Sequence, residues 1–380
     1  MADSGVRVAV LGAGAWAREA HIPGWMRDPR AEVVAICDPI IERAEAVAQE
    51  FHIPEFSSDW QATVARRDID LVDVCTPSRT HFDLAWAALE SGKHVLCEKP
   101  VSSDYRETRR AAEFARSRGL QTKLGFTFRY SPGVRYAWAL ICDGFVGRPF
   151  FFDGYDQNSQ WLNPETPLRQ VGPRGHPNAN PDVIQVGSLE NYGASIMDIG
   201  HWWVGADYAS VIGTMRNFIP ERRVRETDNR MMRMNIDDGT VFLTAYANGA
   251  IGSIQTSYVT IGNYSGAEAR IYGDRGAIIC RMVEEFGVAE TIKVATPDEV
   301  EFRELEIPPE FYPPGGYPRE SWRSLFYGNL IREFVDELRG NGPDNQASFD
   351  DGAWVQEAIN AVELSFRESR WVDLPLERSS

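Results

Sequence analysis

The sequence predicts an α/β protein of two domains: an N-terminal doubly wound parallel sheet, then an α+β domain with an open-faced, mostly antiparallel sheet. Three observations favour this fold class. Up to about residue 125, short apolar runs alternate with helical patterns. Beyond it, the strand-like segments become longer and alternate between apolar and polar residues. A length of 380 residues suits two domains. The predicted limits are 1–124 and 125–380.

The N-terminal strands are recognised as short runs that are apolar almost throughout. The first run, 6–11, is followed by a glycine-rich turn and a helical pattern from Trp16. Further runs cover 32–37, 71–75 and 94–97, and each leads through a turn into a helical pattern. Runs of this kind are typical of parallel strands that are covered by helices on both faces.

The second domain is predicted to contain longer strands that are joined in part by tight turns. Asp237-Asp238-Gly239 and Asn248-Gly249 are predicted hairpin turns between the last three strands. Helices are expected over 324–339 and 351–369, before a short strand at 371–374. The predicted strands are 150–156, 209–217, 230–236, 240–247 and 250–258.

Charge and composition narrow the class of partner. The net charge is −16 and there is no long basic run, so nucleic acid and anionic membrane surfaces are poor partners. No apolar run approaches the ~18 residues of a membrane span. The five cysteines are odd in number and lack a C-x-x-C pair, which predicts neither a disulfide framework nor a metal site. We therefore expect a cytoplasmic protein with a small-molecule substrate.

A glycine-rich turn follows the first strand and opens a helix. It has the G-x-G-x-x-A pattern, in which the glycines permit a tight turn and a close approach of the backbone to a pyrophosphate. Asp38 ends the second strand, where a carboxylate accepts hydrogen bonds from ribose hydroxyls and repels a 2′-phosphate. The sequence therefore predicts NAD rather than NADP. The predicted contacts in the turn are Gly12, Ala13, Gly14, Ala15 and Trp16.

Three later motifs carry a resemblance to a known family. They are Cys-Thr-Pro-Ser-Arg-Thr-His at 75–81, Gly-Lys-His-Val-Leu-Cys-Glu-Lys-Pro at 92–100 and Gly-Phe-Thr-Phe-Arg-Tyr-Ser-Pro at 125–132. Together with the C-terminal segments 349–354 and 370–373, they resemble the Gfo/Idh/MocA oxidoreductases, relatives of glucose-fructose oxidoreductase and inositol dehydrogenase. The resemblance implies NAD-linked chemistry on a sugar or polyol, in a homodimer or homotetramer that packs through its open sheets.

The same resemblance assigns the principal catalytic role to Lys99, which would contact both the nicotinamide ribose and the substrate hydroxyl. A lysine at the carboxyl end of a parallel strand lies where such sheets bind ligands. The alternative is a surface lysine that pairs with Glu98. Pro77 would shape the loop that faces the nicotinamide, and His81 would hold that loop. The further predicted cofactor contacts are Thr76, Pro77, Ser78, His81, Glu98, Lys99 and Arg129.

The sequence departs from the family at the D-x-G-x-H motif, whose Asp and His complete a proton relay. Aligned on Gly187, Gly193 and Asp198, the chain has Asn191 at the Asp position and Ser195 at the His position. An amide cannot take a proton, and a serine is a poor base unless another group activates it. The usual pair is therefore altered.

A second alignment uses Asp198 itself and places Trp202 at the histidine position, with His201 one residue out of phase. In a regular helix, residues 191, 195, 198 and 202 share one face. We therefore predict that Asn191, Ser195 and Asp198 form a catalytic polar stripe. The alternative is a surface pair between Asp198 and His201.

Residues 156–187 form a predicted substrate loop. Its amides suit sugar hydroxyls and its tryptophan offers a face to a ring. A basic group within it could bind an anionic substituent; the alternative is a loop that meets solvent or a neighbouring subunit. The predicted loop contacts are Gln157, Asn158, Trp161, Arg169, Arg174 and His176. Lys99, Tyr192, Asp198 and His201 complete the predicted substrate set.

Three functions follow from these features. The first is an NAD-dependent dehydrogenase in which Lys99 acts alone or with Tyr192, Asp198 or His201. The second is an NAD-dependent glycosidase that works by transient oxidation, elimination, water addition and re-reduction. The third is a non-catalytic NAD-bound sugar sensor.

Overall fold

The computed structural model describes residues 5–168, 184–225, 229–262, 266–283, 290–312, 322–342 and 347–376. The chain forms two compact units. Unit 1 comprises Met1–Tyr130 and Tyr312–Ala353, and unit 2 comprises Ser131–Phe311 and Trp354–Ser380. The sequence-based limits of 1–124 and 125–380 stay a prediction; the compact units differ from them because the described residues 322–342 and 347–353 belong to unit 1.

The helices and strands have the following bounds. The helices are α1 (Ile22–Met26), α2 (Ile41–Phe51), α3 (Trp60–Val64), α4 (His81–Glu90), α5 (Tyr105–Ser117), α6 (Pro132–Cys142), α7 (Ala194–Val204), α8 (Trp322–Leu338) and α9 (Phe349–Glu368). The strands are β1 (Val6–Leu11), β2 (Ala31–Cys37), β3 (Glu55–Ser57), β4 (Leu71–Val74), β5 (His94–Cys97), β6 (Thr122–Leu124), β7 (Pro149–Gln157), β8 (Tyr208–Arg216), β9 (Glu221–Val224), β10 (Arg230–Arg233), β11 (Gly239–Tyr246), β12 (Ile251–Ser257), β13 (Gly266–Gly273), β14 (Ala277–Val283), β15 (Thr291–Ala295), β16 (Arg303–Leu305) and β17 (Val372–Asp373). Across the described ranges, no helix combines the length and apolar character that crossing a membrane requires.

Unit 1 contains a six-stranded sheet in the order β3-β2-β1-β4-β5-β6, and every pair in it is parallel. The prediction of a doubly wound sheet is confirmed. The central strands β1, β4 and β5 are buried almost throughout, as their apolar runs predicted. The sheet edge β3 has no such run, because it is short and largely exposed.

Unit 2 contains a nine-stranded sheet in the order β16-β15-β14-β13-β7-β12-β11-β8-β17. Within this sheet, β7 and β12 are paired in parallel and the other neighbouring strands are antiparallel. The predicted mostly antiparallel sheet is therefore confirmed. One face is covered by helices such as α7, which packs on β7 and β13. The other face is open, with half-exposed apolar side chains at Phe151, Leu243 and Ile251.

Of the two predicted hairpins, one is confirmed and one is wrong. Asn248-Gly249 joins the antiparallel strands β11 and β12, with Gly249 at a φ of 90°. Asp237 and Asp238 do not form a hairpin, because β10 ends at Arg233 and pairs with β9 in a separate ribbon. Both side chains are fully buried instead. Each carboxylate accepts backbone hydrogen bonds, Asp237 from Leu189 and Asp238 from Phe218 and Ile219.

Candidate active site

The glycine turn after β1 has the shape that a dinucleotide pyrophosphate requires. Gly12 has a φ of 105°, and a Cβ on it would lie 2.5 Å from the Cys75 carbonyl oxygen. Only glycine fits this position. Gly14 and Ala15 are exposed, and a Cβ on Gly14 would meet no atom within 4 Å. The turn therefore packs tightly against the sheet below and leaves open space over its backbone.

Asp38 connects this turn to the end of β2. One carboxylate oxygen accepts a hydrogen bond from the Ala13 amide at 2.9 Å, and the other accepts one from the Ile40 amide at 2.9 Å. Each oxygen keeps a further lone pair for a ribose hydroxyl. The carboxylate thus braces the glycine turn and also gives it the negative charge that disfavours a 2′-phosphate. These residues fit NAD.

His81 fastens two loops together. It lies at the start of α4 and is buried. Its Nδ1 is 2.7 Å from the Pro100 carbonyl oxygen, and its Nε2 is 2.7 Å from the Thr76 carbonyl oxygen. The loop after β4, which holds Pro77 and Ser78, is thereby tied to the turn after β5 that carries Lys99. The role of His81 at the cofactor site stays a prediction.

The turn after β5 is built on Glu98. The Glu98 amide donates to the Val74 carbonyl oxygen at 2.9 Å, which fixes the turn beside β4. Its carboxylate accepts hydrogen bonds from the Lys99 amide at 3.2 Å and from the Trp16 indole at 3.0 Å. The Glu98 side chain is only 15% exposed. Burial raises the pKa of Glu98, but the neighbouring His21 and Lys99 charges hold it below its ordinary value.

His21 lies fully buried beneath this turn and was missed by the sequence analysis. Its Nδ1 is 2.9 Å from both oxygens of the fully buried Asp73, and its Nε2 is 3.2 Å from Glu98 Oε1. The Trp25 indole also donates to Asp73, at 2.7 Å. Burial lowers the pKa of His21, but the interactions with Asp73 and then with Cys75 together hold that pKa well above its ordinary value. The available signal was Asp73 itself, a charged residue inside an otherwise apolar strand.

Two other predicted cofactor contacts are engaged within unit 1. The Trp16 indole donates to the Tyr327 hydroxyl at 3.0 Å as well as to Glu98. The Arg129 guanidinium is buried and donates to Asp351 at 3.1 Å. Arg129 thus holds the first turn of α9, and its contact with the cofactor remains a prediction.

In unit 2, the helix that was predicted to carry the polar stripe begins with a π-helical turn, Leu189–Gly193, before α7. A π turn has more residues than an α turn, so the spacing assumed for a regular helix does not hold at residue 191. Asn191 is exposed, whereas Ser195 and Asp198 are buried, Asp198 to 1% exposure. The Asn191 amide donates to the Tyr258 hydroxyl.

The two residues that the second alignment brings to the histidine position, His201 and Trp202, both have side-chain partners in unit 2. The His201 Nε2 lies 2.9 Å from an Asp207 carboxylate oxygen. Trp202 stacks on Trp138 with ring centroids 4.5 Å apart.

Several predicted substrate residues lie together at the end of β7. The Asn158 amide donates to the Tyr192 hydroxyl at 2.6 Å. Trp161 packs edge-to-face on Tyr258 at 4.8 Å and lies 6.0 Å from the Tyr192 ring. Tyr258, which the sequence analysis did not single out, is the buried centre of this cluster. Gln157 is buried as the last residue of β7. Arg169, Arg174 and His176 lie outside the described residues.

Comparison with known proteins decides the family. Residues 6–126 match the oxidoreductase family model for an NAD-binding Rossmann fold, and residues 178–374 match the model for its C-terminal alpha/beta domain. The chain belongs to the Gfo/Idh/MocA oxidoreductase family. NAD is its cofactor, as the glycine turn and Asp38 predicted.

Three similarities extend over most of this family member. It is 25% identical over 361 residues to levoglucosan dehydrogenase from Pseudarthrobacter phenanthrenivorans, which covers 91% of this chain and 90% of that enzyme. It is 27% identical over 276 residues to scyllo-inositol 2-dehydrogenase (NAD(+)) from Bacillus subtilis, which covers 72% and 73%. A solved structure of levoglucosan dehydrogenase with NADH and levoglucosan has a TM-score of 0.85 at 23% identity, over 98% of this chain and all of that one, and it shows the shared fold.

Proposed function

We propose that this protein is a dehydrogenase that oxidises a secondary alcohol of a sugar, inositol or glycoside with NAD. The observation that carries the proposal is the turn after β5, where Glu98 and His81 hold Lys99 at the carboxyl end of a parallel sheet whose glycine turn fits NAD. The relatives named for levoglucosan and scyllo-inositol support a sugar or polyol substrate.

Each residue has a defined task in this proposal. Bound NAD supplies the acceptor for a hydride from the carbon that bears the hydroxyl group. Lys99 accepts the hydroxyl proton during oxidation and returns it during reduction. Glu98 and His81 keep the turn in place, and Asp38 holds the ribose. Orientation of this kind is a major part of catalysis, because reacting groups must be held close together.

We assign sugar recognition to the cluster at the end of β7. The Asn158 and Tyr192 groups are already oriented by their mutual hydrogen bond, which reduces the entropy lost when they bind hydroxyl groups. Trp161 supplies a ring face. Gln157, Asp198 and His201 stay in the proposed substrate set. Arg169, Arg174 and His176 are proposed to bind an anionic substituent, which a comparison of kcat/KM for a neutral sugar and its acidic analogue would test.

A glycosidase that uses NAD catalytically is a second candidate, favoured by the altered relay. Asn191 cannot take a proton and its amide is engaged with Tyr258. A cycle of oxidation, elimination, water addition and re-reduction tolerates this change, because the proton and the hydride return to the same substrate.

One experiment separates the candidates. The protein is incubated with NAD and a panel that includes levoglucosan, inositols and nitrophenyl glycosides, while NADH absorbance and nitrophenol release are followed together. NADH formed in proportion to consumed substrate is the expected result. Nitrophenol released without NADH would establish the glycosidase, and binding without turnover would establish a sensor.

We also propose a cytoplasmic homodimer or homotetramer that assembles through the open face of the nine-stranded sheet. The half-exposed Phe151, Leu243 and Ile251 lie on that face, and apolar groups in such numbers favour burial against a second copy. Light scattering after size-exclusion chromatography is expected to give the mass of two or four chains. A monomer at micromolar concentration would contradict this assembly.

A further inference from the structure

A buried row of three ionisable groups runs beneath the Lys99 turn. Asp73 lies in β4, His21 ends the π-helical turn Ala17–His21, and Glu98 follows β5. The His21 ring bridges the two carboxylates, at 2.9 Å to Asp73 and 3.2 Å to Glu98. His21 and Asp73 are both fully buried.

This arrangement defines the charge of the imidazole. Both ring nitrogens face carboxylate oxygens, and only the imidazolium has an N–H on each nitrogen. A neutral ring would direct one lone pair at a carboxylate in a buried place, which is costly. The ionisable groups that face His21 or its two partners are Asp73, Cys75, His81, Cys97, Glu98, Lys99 and Tyr327.

Glu98 is surrounded by donors. It accepts from His21, from the Trp16 indole and from the Lys99 amide. Gly125 makes room for it, since a Cβ there would lie 2.6 Å from Glu98 Oε1. Trp16 belongs to the glycine turn, so one carboxylate connects that turn to the turn that carries Lys99. Removal of His21 would deprive a largely buried carboxylate of its charged hydrogen-bond donor.

We propose that His21 is a positioning residue for Lys99. As an imidazolium held by Asp73, it keeps Glu98 ionised and oriented, and Glu98 in turn fixes the position of the Lys99 turn relative to the glycine turn. This inference rests on the proposed role of Lys99. His21 acts through Glu98 and is assigned no contact with substrate or cofactor.

The charge of His21 is tested without any substrate. Histidine side chains are labelled with ¹³C and ¹⁵N in the full chain, and their signals are followed from pH 5.5 to 8 with and without NADH. The signal that disappears in His21→Gln belongs to His21. We expect it to stay that of an imidazolium across the range, whereas a neutral ring at pH 7 would overturn the proposal whatever the enzyme's substrate is.

The positioning role is tested by the pH profile of NADH binding. In His21→Phe, Glu98 loses its charged donor, so its pKa should rise, and between pH 8 and pH 6 the NADH affinity should fall about tenfold more than in the wild type, the equivalent of one pKa unit. The double variant His21→Phe/Glu98→Gln should lack this additional tenfold loss of NADH affinity, because a glutamine at position 98 cannot be protonated in this pH range. His94→Gln, at the far end of β5, is the matched control and should keep the wild-type profile.

A purely structural role gives a different result. If His21→Phe lowers stability while its pH profile stays parallel to that of the wild type, the positioning role is refuted. If His21→Phe does not fold, the same pH profile of NADH binding is measured in His21→Gln, which also lacks the charged donor. Failure of the substrate panel alone would refute the dehydrogenase proposal, but it would leave the His21 result standing.

Discussion

The turn after β5 in unit 1 and the helical segment 189–204 in unit 2 differ in where they place ionisable groups. In unit 1, Lys99 follows a carboxylate that is held by a buried histidine and a second carboxylate. In unit 2, the alignment on Gly187 and Gly193 predicts Asn191 and Ser195 where the family carries an Asp and a His, and Asn191 donates to a tyrosine. The comparison leads us to expect that proton transfer to the substrate depends on the Lys99 turn rather than on segment 189–204.

The largest expected effect is that of Lys99→Met. Loss of an acid–base group lowers kcat/KM by about 10³- to 10⁴-fold, roughly 4 to 5 kcal/mol. Kinetics on the best substrate of the panel measure this, with the exposed Lys293→Met as the matched control. Near-normal activity in Lys99→Met would show that Lys99 is not the acid–base group of the reaction.

The next largest effect is expected for Asp73→Asn. It leaves His21 buried without its principal counter-charge, which costs about 3 to 4 kcal/mol in the free energy of unfolding. Asp68→Asn is the control: its ion pairs with Arg7 and Arg66 are partly exposed to solvent and are worth about 1 kcal/mol or less. Urea titrations compare the free energy of unfolding of the two variants. Equal losses of stability would show that the buried row of Asp73, His21 and Glu98 stabilises the fold no more than a surface ion pair does.

Glu290 provides a titration in unit 2 that should change stability. Burial raises its pKa to about 7, and within the described residues its Oε1 has no hydrogen-bond partner. The folded state therefore binds the proton more tightly than the unfolded state. The resulting stabilisation is complete below the ordinary value of 4.5, is lost as the pH rises to about 7, and is absent above that.

The matching variant is Glu290→Gln. The wild type should lose about 3 kcal/mol between pH 4.5 and 7 through this group, and the variant should lack that part of the pH dependence. Thermal unfolding scans at several pH values measure the difference. Parallel curves for the two proteins would place the Glu290 pKa near its ordinary value.

The smallest effect is expected for Asn191→Ala. Loss of its hydrogen bond to Tyr258 should cost about 1 kcal/mol of stability, and kcat should change by less than about threefold. Tyr258→Phe removes the other partner of the same bond and is the control. A 100-fold fall in kcat for Asn191→Ala, without a similar fall for Tyr258→Phe, would show that Asn191 takes part directly in the reaction.

The sequence predicted best those features that depend on residues close together in the chain. The buried parallel strands, the glycine turn at Gly12 and the Glu98-Lys99 motif each follow from neighbouring residues. The role of His21 could not be predicted, because its partners lie 52 and 77 positions away. The acidic turn at Asp237 resembled a hairpin locally, but its carboxylate binds the start of a distant helix.

The assumed helical spacing is the second reason why the sequence-based prediction of the site differs from the structure. The stripe of Asn191, Ser195 and Asp198 assumed a regular α-helix, and the π-helical turn Leu189–Gly193 alters that period. Neither residue type nor propensity at these positions indicates a π turn. The Lys99 turn did not depend on such spacing.

The central claim is that the Lys99 amine meets the hydride-bearing end of the dinucleotide. A crystal structure of the protein with NADH tests it most directly. We expect NADH over the Gly12 and Gly14 turn, with Lys99 Nζ within about 3 Å of a nicotinamide ribose hydroxyl. A crevice that stays empty at saturating NADH, or an amine that points away from the nicotinamide, would contradict the account.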